Sequence, residues 1–267
     1  MQRNRLIAYV MLALFLATLV TYLAHPAEAV LTAVGNAAQT VALFAAAVYI
    51  YRAAGAFSKE DTVRRYWMWL GTGLLLNATG YLIYGIMEVI LHAEMSSPSL
   101  PDLFWILSYP VMIYPTVALL RGYLTSGLPI KLNPWSWVLT GAALVISGYF
   151  LVLPILQDTE IELLKKLVPL IYPVGDAIIF AAAVSIALMM RQFGAGRLGT
   201  PWTFLALGMI AASASDMVYT YLSAQDLYQT GNLIDLGWVL QGFLMAWGGI
   251  LQYQLIKGDT AVAEAAA

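Results

Sequence analysis

Carboxylates and aromatic rings recur at helical spacing in this chain, and they are its chemically capable side chains. Tyr81, Tyr84 and Glu88 stand at i, i+3 and i+7, and Asp216 and Tyr219 at i, i+3, so each set shares one helical face. Asn77 lies one turn before Tyr81. Asp102, Trp105 and Tyr109, then Tyr172 with Asp176, and finally Asp235 with Trp238, repeat the theme. A carboxylate ringed by phenols and indoles accepts hydrogen bonds, and two carboxyls placed together share a proton because like charges oppose double ionisation. The rest of the chemical repertoire is narrow. Cysteine is absent, which excludes disulfides, thiolate metal sites and cysteine nucleophiles, and only 2 histidines are present.

The elements that must position these groups are membrane spans. Of the 267 residues 61% are hydrophobic and 10% charged, against about 25% charged in a soluble domain. The net charge of -2 leaves no basic excess for nucleic acid. A helix crossing the hydrocarbon core needs about 20 mostly apolar residues. Eight segments qualify, near 6–23, 29–51, 66–91, 101–121, 134–156, 167–190, 201–224 and 231–256. Backbone groups cannot stay unpaired in lipid, so these runs are expected to be helices of an all-α integral membrane protein. One transmembrane domain is expected over 1–257, with a short tail over 258–267. Arg3, Arg5 and Ala27-Glu28-Ala29 give the first segment a resemblance to a cleaved signal. Its apolar run from Leu6 to Leu23 exceeds the roughly 7–15 residues of a signal core, which favours a retained span.

Basic residues orient the spans. With the N-terminus cytoplasmic, the inner segments carry Arg3, Arg5, Arg52, Lys59, Arg64, Arg65, Arg121, Lys131, Arg191, Arg197 and Lys257. The outer loops then hold only Lys165 and Lys166, with the acids Glu28, Glu94, Asp158, Glu160 and Asp226. This places both termini in the cytoplasm of a multi-pass cell-membrane protein. Asn36, Asn77 and the carboxylates and aromatics named above then fall near the middle or in the outer half of their spans. Trp67, Trp69, Trp135, Trp137 and Trp202 fall on the cytoplasmic side, where indoles form interfacial belts. Pro110, Pro115 and Pro173 interrupt apparent helices and permit kinks. An outward-opening cavity lined by aromatics and a few carboxylates is expected. Asp102 and Asp235 also stand at helix starts, where a carboxylate caps free amides. Asp176 and Asp216 are too deep for capping, which leaves a ligand site or bonds from neighbours such as Ser213 and Ser215.

The chain also resembles itself at an offset of about 133–140 residues. Leu70-Gly71-Thr72-Gly73 matches Leu205-Ala206-Leu207-Gly208, Tyr84 matches Tyr219, and Val34-Gly35-Asn36 matches Val174-Gly175-Asp176. Asp102-Leu103-Phe104-Trp105 matches Asp235-Leu236-Gly237-Trp238. Four spans per half make a tandem, parallel repeat over about 1–125 and 130–257.

These same residues carry a resemblance to a family. Pro98-x-x-Pro101-Asp102-x-x-Trp105-x-x-x-Tyr109-Pro110, with Ser97 or Ser99 before it, resembles a signature of the multi-span sensory regions fused to bacterial diguanylate cyclases (GGDEF proteins). Tyr172-Pro173-Val174-Gly175-Asp176, Ser215-Asp216-x-x-Tyr219, Tyr228-x-x-Gly231 and Asp235-x-x-Trp238 resemble its later motifs, over roughly 66–250. The resemblance implies an extracytoplasmic or intramembrane signal-sensing module, and the narrow chemical repertoire of the chain adds the expectation that it is not an enzyme. The polarity and position of the candidate residues, not the resemblance, lead to the expectation of a small or lipophilic ligand in the outward-facing cavity, without a cofactor. After Lys257 only a short tail follows, so output is expected through a cytoplasmic or membrane partner. A secondary transporter using Glu88, Asp176 and Asp216 is the alternative, beside a structural subunit of a larger complex. An aspartyl-protease dyad lacks its companion motifs, and an axial haem pair from His25 and His92 remains geometrically open.

Overall fold

The computed structural model describes residues 2–93, 98–126, 131–159, 163–193 and 199–266; Glu94, Ser97, Glu160 and Arg197 lie outside these ranges. Among the described residues the chain is helical, without strands. The helices are α1 (Gln2–Ala24), α2 (Glu28–Ala54), α3 (Thr62–Ile90), α4 (Leu100–Leu124), α5 (Pro134–Gln157), α6 (Leu163–Met190), α7 (Thr200–Ala224) and α8 (Leu236–Ala266). Seven of them, α2 to α8, contain stretches long and apolar enough to cross a membrane. In α1 the corresponding apolar stretch, Tyr9–Ala24, is shorter. Their outward faces carry large apolar side chains such as Val41, Leu103, Val145 and Leu207, all well exposed, as suits apolar surroundings.

Local signals set the boundaries. Asp61 starts α3 by accepting from Val63 N at 2.8 Å, and Asn133 starts α5 by accepting from Trp135 N at 3.0 Å ahead of Pro134. Ser99 and Asp102 form a capping box at the head of α4. Two stretches widen into π-helix, Ile86–Ile90 at the end of α3 and Ser147–Val152 within α5.

Six helices close a ring in the order α2, α3, α4, α6, α7, α8, with α8 returning to α2. Outside it, α1 rests against α2 and α8, and α5 against α6. The α2–α8 seam is the most extensive and the α4–α6 seam the least. The tight seam is built on small residues. A Cβ on Gly242 would lie 2.6 Å from the backbone carbon of Ala42, and one on Gly249 2.8 Å from that of Tyr49.

One end of the ring is solid. Trp67 and Trp202 meet there with centroids 4.9 Å apart, packed with Leu70, Leu74, Leu205 and Met209. This corrects the expectation of an interfacial belt at these two positions. Trp69, Trp135 and Trp137 are exposed, whereas Trp67 and Trp202 point into the ring and are buried. Trp67 and Trp69 are separated by two positions, about 200° around a helix, so adjacent indoles serve opposite environments.

Candidate functional site

Toward the other end the ring encloses a cavity of about 380 Å³, within the usual range for ligand pockets of roughly 300–1,000 Å³. Eleven of the thirteen candidate residues line it: Asn77, Tyr81 and Tyr84 from α3; Asp102, Trp105 and Tyr109 from α4; Tyr172 and Asp176 from α6; Asp216 and Tyr219 from α7; and Trp238 from α8. They converge because α3 and α7 end where α4, α6 and α8 begin. Asn36 joins them from α2.

The other two, Glu88 and Asp235, sit off the wall and tie down the connection between α7 and α8. Glu88, on the π-helical turn, accepts from Asn36 Nδ2 at 2.7 Å and from the hydroxyls of Thr230 at 3.0 Å and Tyr84 at 3.4 Å. Asp235 is fully buried and accepts from Gly231 N at 2.8 Å and the Tyr228 hydroxyl at 3.1 Å. Burial, with the Asp235 carboxylate beside it, pushes the Tyr228 phenol above its ordinary range, so that it stays a donor. Removing Asp235 orphans the Gly231 amide and the Tyr228 hydroxyl together. Asp235→Ala is therefore expected to cost about 2 kcal/mol. Thermal unfolding of the purified protein, compared with the half-buried cap variant Asp61→Ala at about 1 kcal/mol, checks the ordering.

Asp102 combines capping with a place on the wall. One oxygen accepts from Ser99 N at 2.6 Å and Ser99 Oγ at 2.8 Å, and the other takes a short bond from the Tyr172 hydroxyl. Tyr109 of α4 returns the gesture by donating to Asp176 Oδ1 of α6 at 2.9 Å. Two tyrosine–aspartate bonds therefore cross the α4–α6 seam in opposite senses. The same two helices carry Pro110 and Pro115, and Pro169 and Pro173, each removing one backbone hydrogen bond from the helix.

Asp176 and Asp216 meet across the cavity wall, their carboxyls within hydrogen-bonding reach of each other. Trp238 Nε1 donates to Asp216 Oδ1 at 2.8 Å. Asp176 is almost fully buried, and its Oδ2 receives no donor among the described residues. Ser215, expected to serve these carboxyls, instead donates to the Ile234 carbonyl at 2.9 Å. An aromatic chain surrounds the pair. Tyr84 and Tyr81 lie 5.7 and 5.2 Å from Trp105, Tyr81 lies 5.9 Å from Trp238, and Tyr219 bridges Trp238 at 5.8 Å to Tyr228 at 4.6 Å.

Further wall residues extend the faces that the sequence marked. Gln39, Ser108 and Gln241 each stand three positions after a recognised residue, namely Asn36, Trp105 and Trp238. Helical spacing was enough to find them. Met112, Ile179 and Met209 floor the cavity without any polar signal to separate them from core. His25 and His92 stand outside the wall. Both are exposed and follow helix ends with φ of 47° and 49°, the left-handed geometry in which histidine readily ends a helix. Among the described residues no group of three or more His, Asp or Glu side chains is placed to hold a metal ion. Comparison with protein-family models, curated proteins and solved structures finds no match to this chain.

Proposed function

We propose that this chain is a membrane-embedded sensor that binds a small or lipophilic ligand in its cavity and passes occupancy to a partner through the helix ring. The observation carrying this reading is the cavity itself: polar and aromatic at one end, backed by the solid Trp67–Trp202 packing at the other. Such a chamber suits retention more than passage, which sets the sensor ahead of the transporter.

In this reading all eight helices span the membrane, both termini are cytoplasmic and the cavity faces outward, as the distribution of Arg and Lys requires. The two halves are tandem repeats. Support comes from matched packing, since Gly73 fits under Met112 as Gly208 fits under Met245, and all four positions correspond at the repeat offset. Equivalent Trp67 and Trp202 touch, as residues beside a two-fold axis do. The repeat makes α4–α6 the counterpart of α2–α8. The latter is locked by glycines, whereas the former is slight, proline-broken and latched by Tyr109–Asp176 and Tyr172–Asp102. Ligand occupancy acts on that seam, and signalling requires the ligand to prefer one seam state over the other.

Native mass spectrometry of the purified protein tests the reading. A co-purifying small molecule is expected on the wild type, and it is lost from both Asp176→Asn and Asp216→Asn. Retention undiminished in both variants, or a wild type that retains nothing when incubated with total membrane extract, overturns it.

A further inference from the structure

We infer that the cavity selects organic cations, amines or quaternary ammonium groups carrying a hydrocarbon body, with the cationic head at the Asp176–Asp216 pair. The inference rests on the ligand-binding reading above and supplies its chemical class.

Charge balance comes first. The wall carries the carboxyls of Asp102, Asp176 and Asp216, yet among the described residues no lysine, arginine or histidine lines it. Asp102 is satisfied by Ser99 and Tyr172. The pair is not. Tyr109 and Trp238 give Asp176 and Asp216 one donor each, and Asp176 Oδ2 is buried with none. The neighbouring acceptor is another carboxyl, and two carboxyls form a hydrogen bond only through a shared proton. With one shared proton the pair carries a single negative charge that no cation among the described wall residues offsets, and with a second proton it is neutral, so that a cationic head entering the site displaces that proton. A buried charge of this kind is costly in a membrane unless a counter-charge or a second proton reaches it. Anionic ligands meet repulsion here, and a zwitterion's phosphate would find no basic partner.

The surroundings then choose between kinds of cation. A metal ion such as Ca²⁺ takes about 6–8 oxygen ligands in a compact shell, whereas this pair offers few oxygens at the edge of a cavity of about 380 Å³. Indole and phenol faces attract alkylammonium groups through their ring quadrupoles, and aromatic cages are the recurrent means of holding quaternary ammonium. Trp238 fits both roles. Its indole nitrogen orients Asp216, while its ring packs between Tyr81 and Tyr219.

The test uses phenethyltrimethylammonium and its neutral carbon isostere, (3,3-dimethylbutyl)benzene, which share a shape and differ in charge. Equilibrium dialysis against the full chain in nanodiscs, corrected with empty nanodiscs, measures both. The cation is expected to bind at least about ten-fold more tightly than the isostere. In Asp176→Asn/Asp216→Asn that preference should fall within about two-fold, with isostere binding unchanged. Asp216→Asn alone replaces the double variant if the latter is not monodisperse. The comparison within the wild type needs no variant at all. Equal or tighter binding of the isostere to the wild type, or a preference that survives in the variants, overturns the cation assignment. If the isostere binds and 4-phenylbutanoate competes with it, the pocket stands and its charge selectivity falls. If none of the three probes binds, the pocket and its selectivity fall together.

Discussion

Gly242→Val is expected to destabilise the bundle by more than about 3 kcal/mol, the largest effect of any single substitution considered for this chain. Even a methyl group at this position would lie 2.6 Å from the carbonyl carbon of Ala42 and 2.7 Å from its oxygen. The obstacle is backbone, which cannot rotate aside as a side chain can. Relief requires α8 to withdraw from α2 along the most extensive seam of the ring. Close backbone approach is what small residues contribute to helix association in lipid, where burial of apolar area gives no drive because the tails are equally apolar. Gly249 occupies the same stripe seven positions later, so Gly249→Val is expected to follow the same course. Gly141→Ala supplies the control, because a Cβ there meets nothing within 4 Å. Thermal unfolding in a single detergent ranks the variants. A Gly242→Val protein that melts with the wild type would show that the seam is not closed in the membrane.

Ala212→Trp is expected to remove ligand binding by more than about 100-fold, equivalent to about 2.7 kcal/mol, while leaving the fold intact. Ala212 lies on the cavity wall in α7, one turn before Asp216 on the same helical face and off the α2–α8 glycine seam. An indole introduced here occupies the space a ligand needs and removes no carboxylate. This separates volume from chemistry. Loss in Asp176→Asn alone would be open to an indirect explanation through the Tyr109 latch, but loss in Ala212→Trp is steric. The measurement is dialysis of the phenethyltrimethylammonium probe, with the melting temperature as the control for folding. Binding within about three-fold of the wild type would place the ligand elsewhere on the protein.

Much of the fold could be read from the chain because lipid imposes length and apolarity on its helices. The boundaries differ where other rules operate. The third helix begins at Thr62 rather than near 66, since the Asp61 cap extends it through polar Arg64 and Arg65 before the apolar run starts. Trp67 and Trp202 show the limit of composition. A tryptophan near a span's end fits a belt or a core equally well, and only the ring's curvature decides. The site was legible for a related reason. Polar groups are costly within a span, so Asp176, Asp216 and Asn77 stand out, and most of their companions share their faces. Glu88 and Asp235 carry the same signal but serve the connection around Thr230 and Gly231. Helical periodicity does not reach a turn whose Gly231 has φ of +96°. The apolar floor of Met112, Ile179 and Met209 leaves no trace in sequence at all, because cavity and core use the same side chains.

The paired latches on α4 and α6 govern how the seam can respond. A single bond between two helices is a pivot about which they still turn. Two bonds at separate heights, each with its phenol on the opposite helix, form a rigid plate. Breaking one leaves the other holding the pair in nearly the same pose, with little of the seam's freedom regained. The free energy of opening is therefore concentrated at the point where both phenols have let go. Tyr109 and Tyr172 also pack edge to face, with centroids 6.0 Å apart, so neither ring moves without disturbing its neighbour. In the sensor proposed above, such a plate would act as a toggle instead of a graded spring, with signal strength set by the fraction of molecules that have switched.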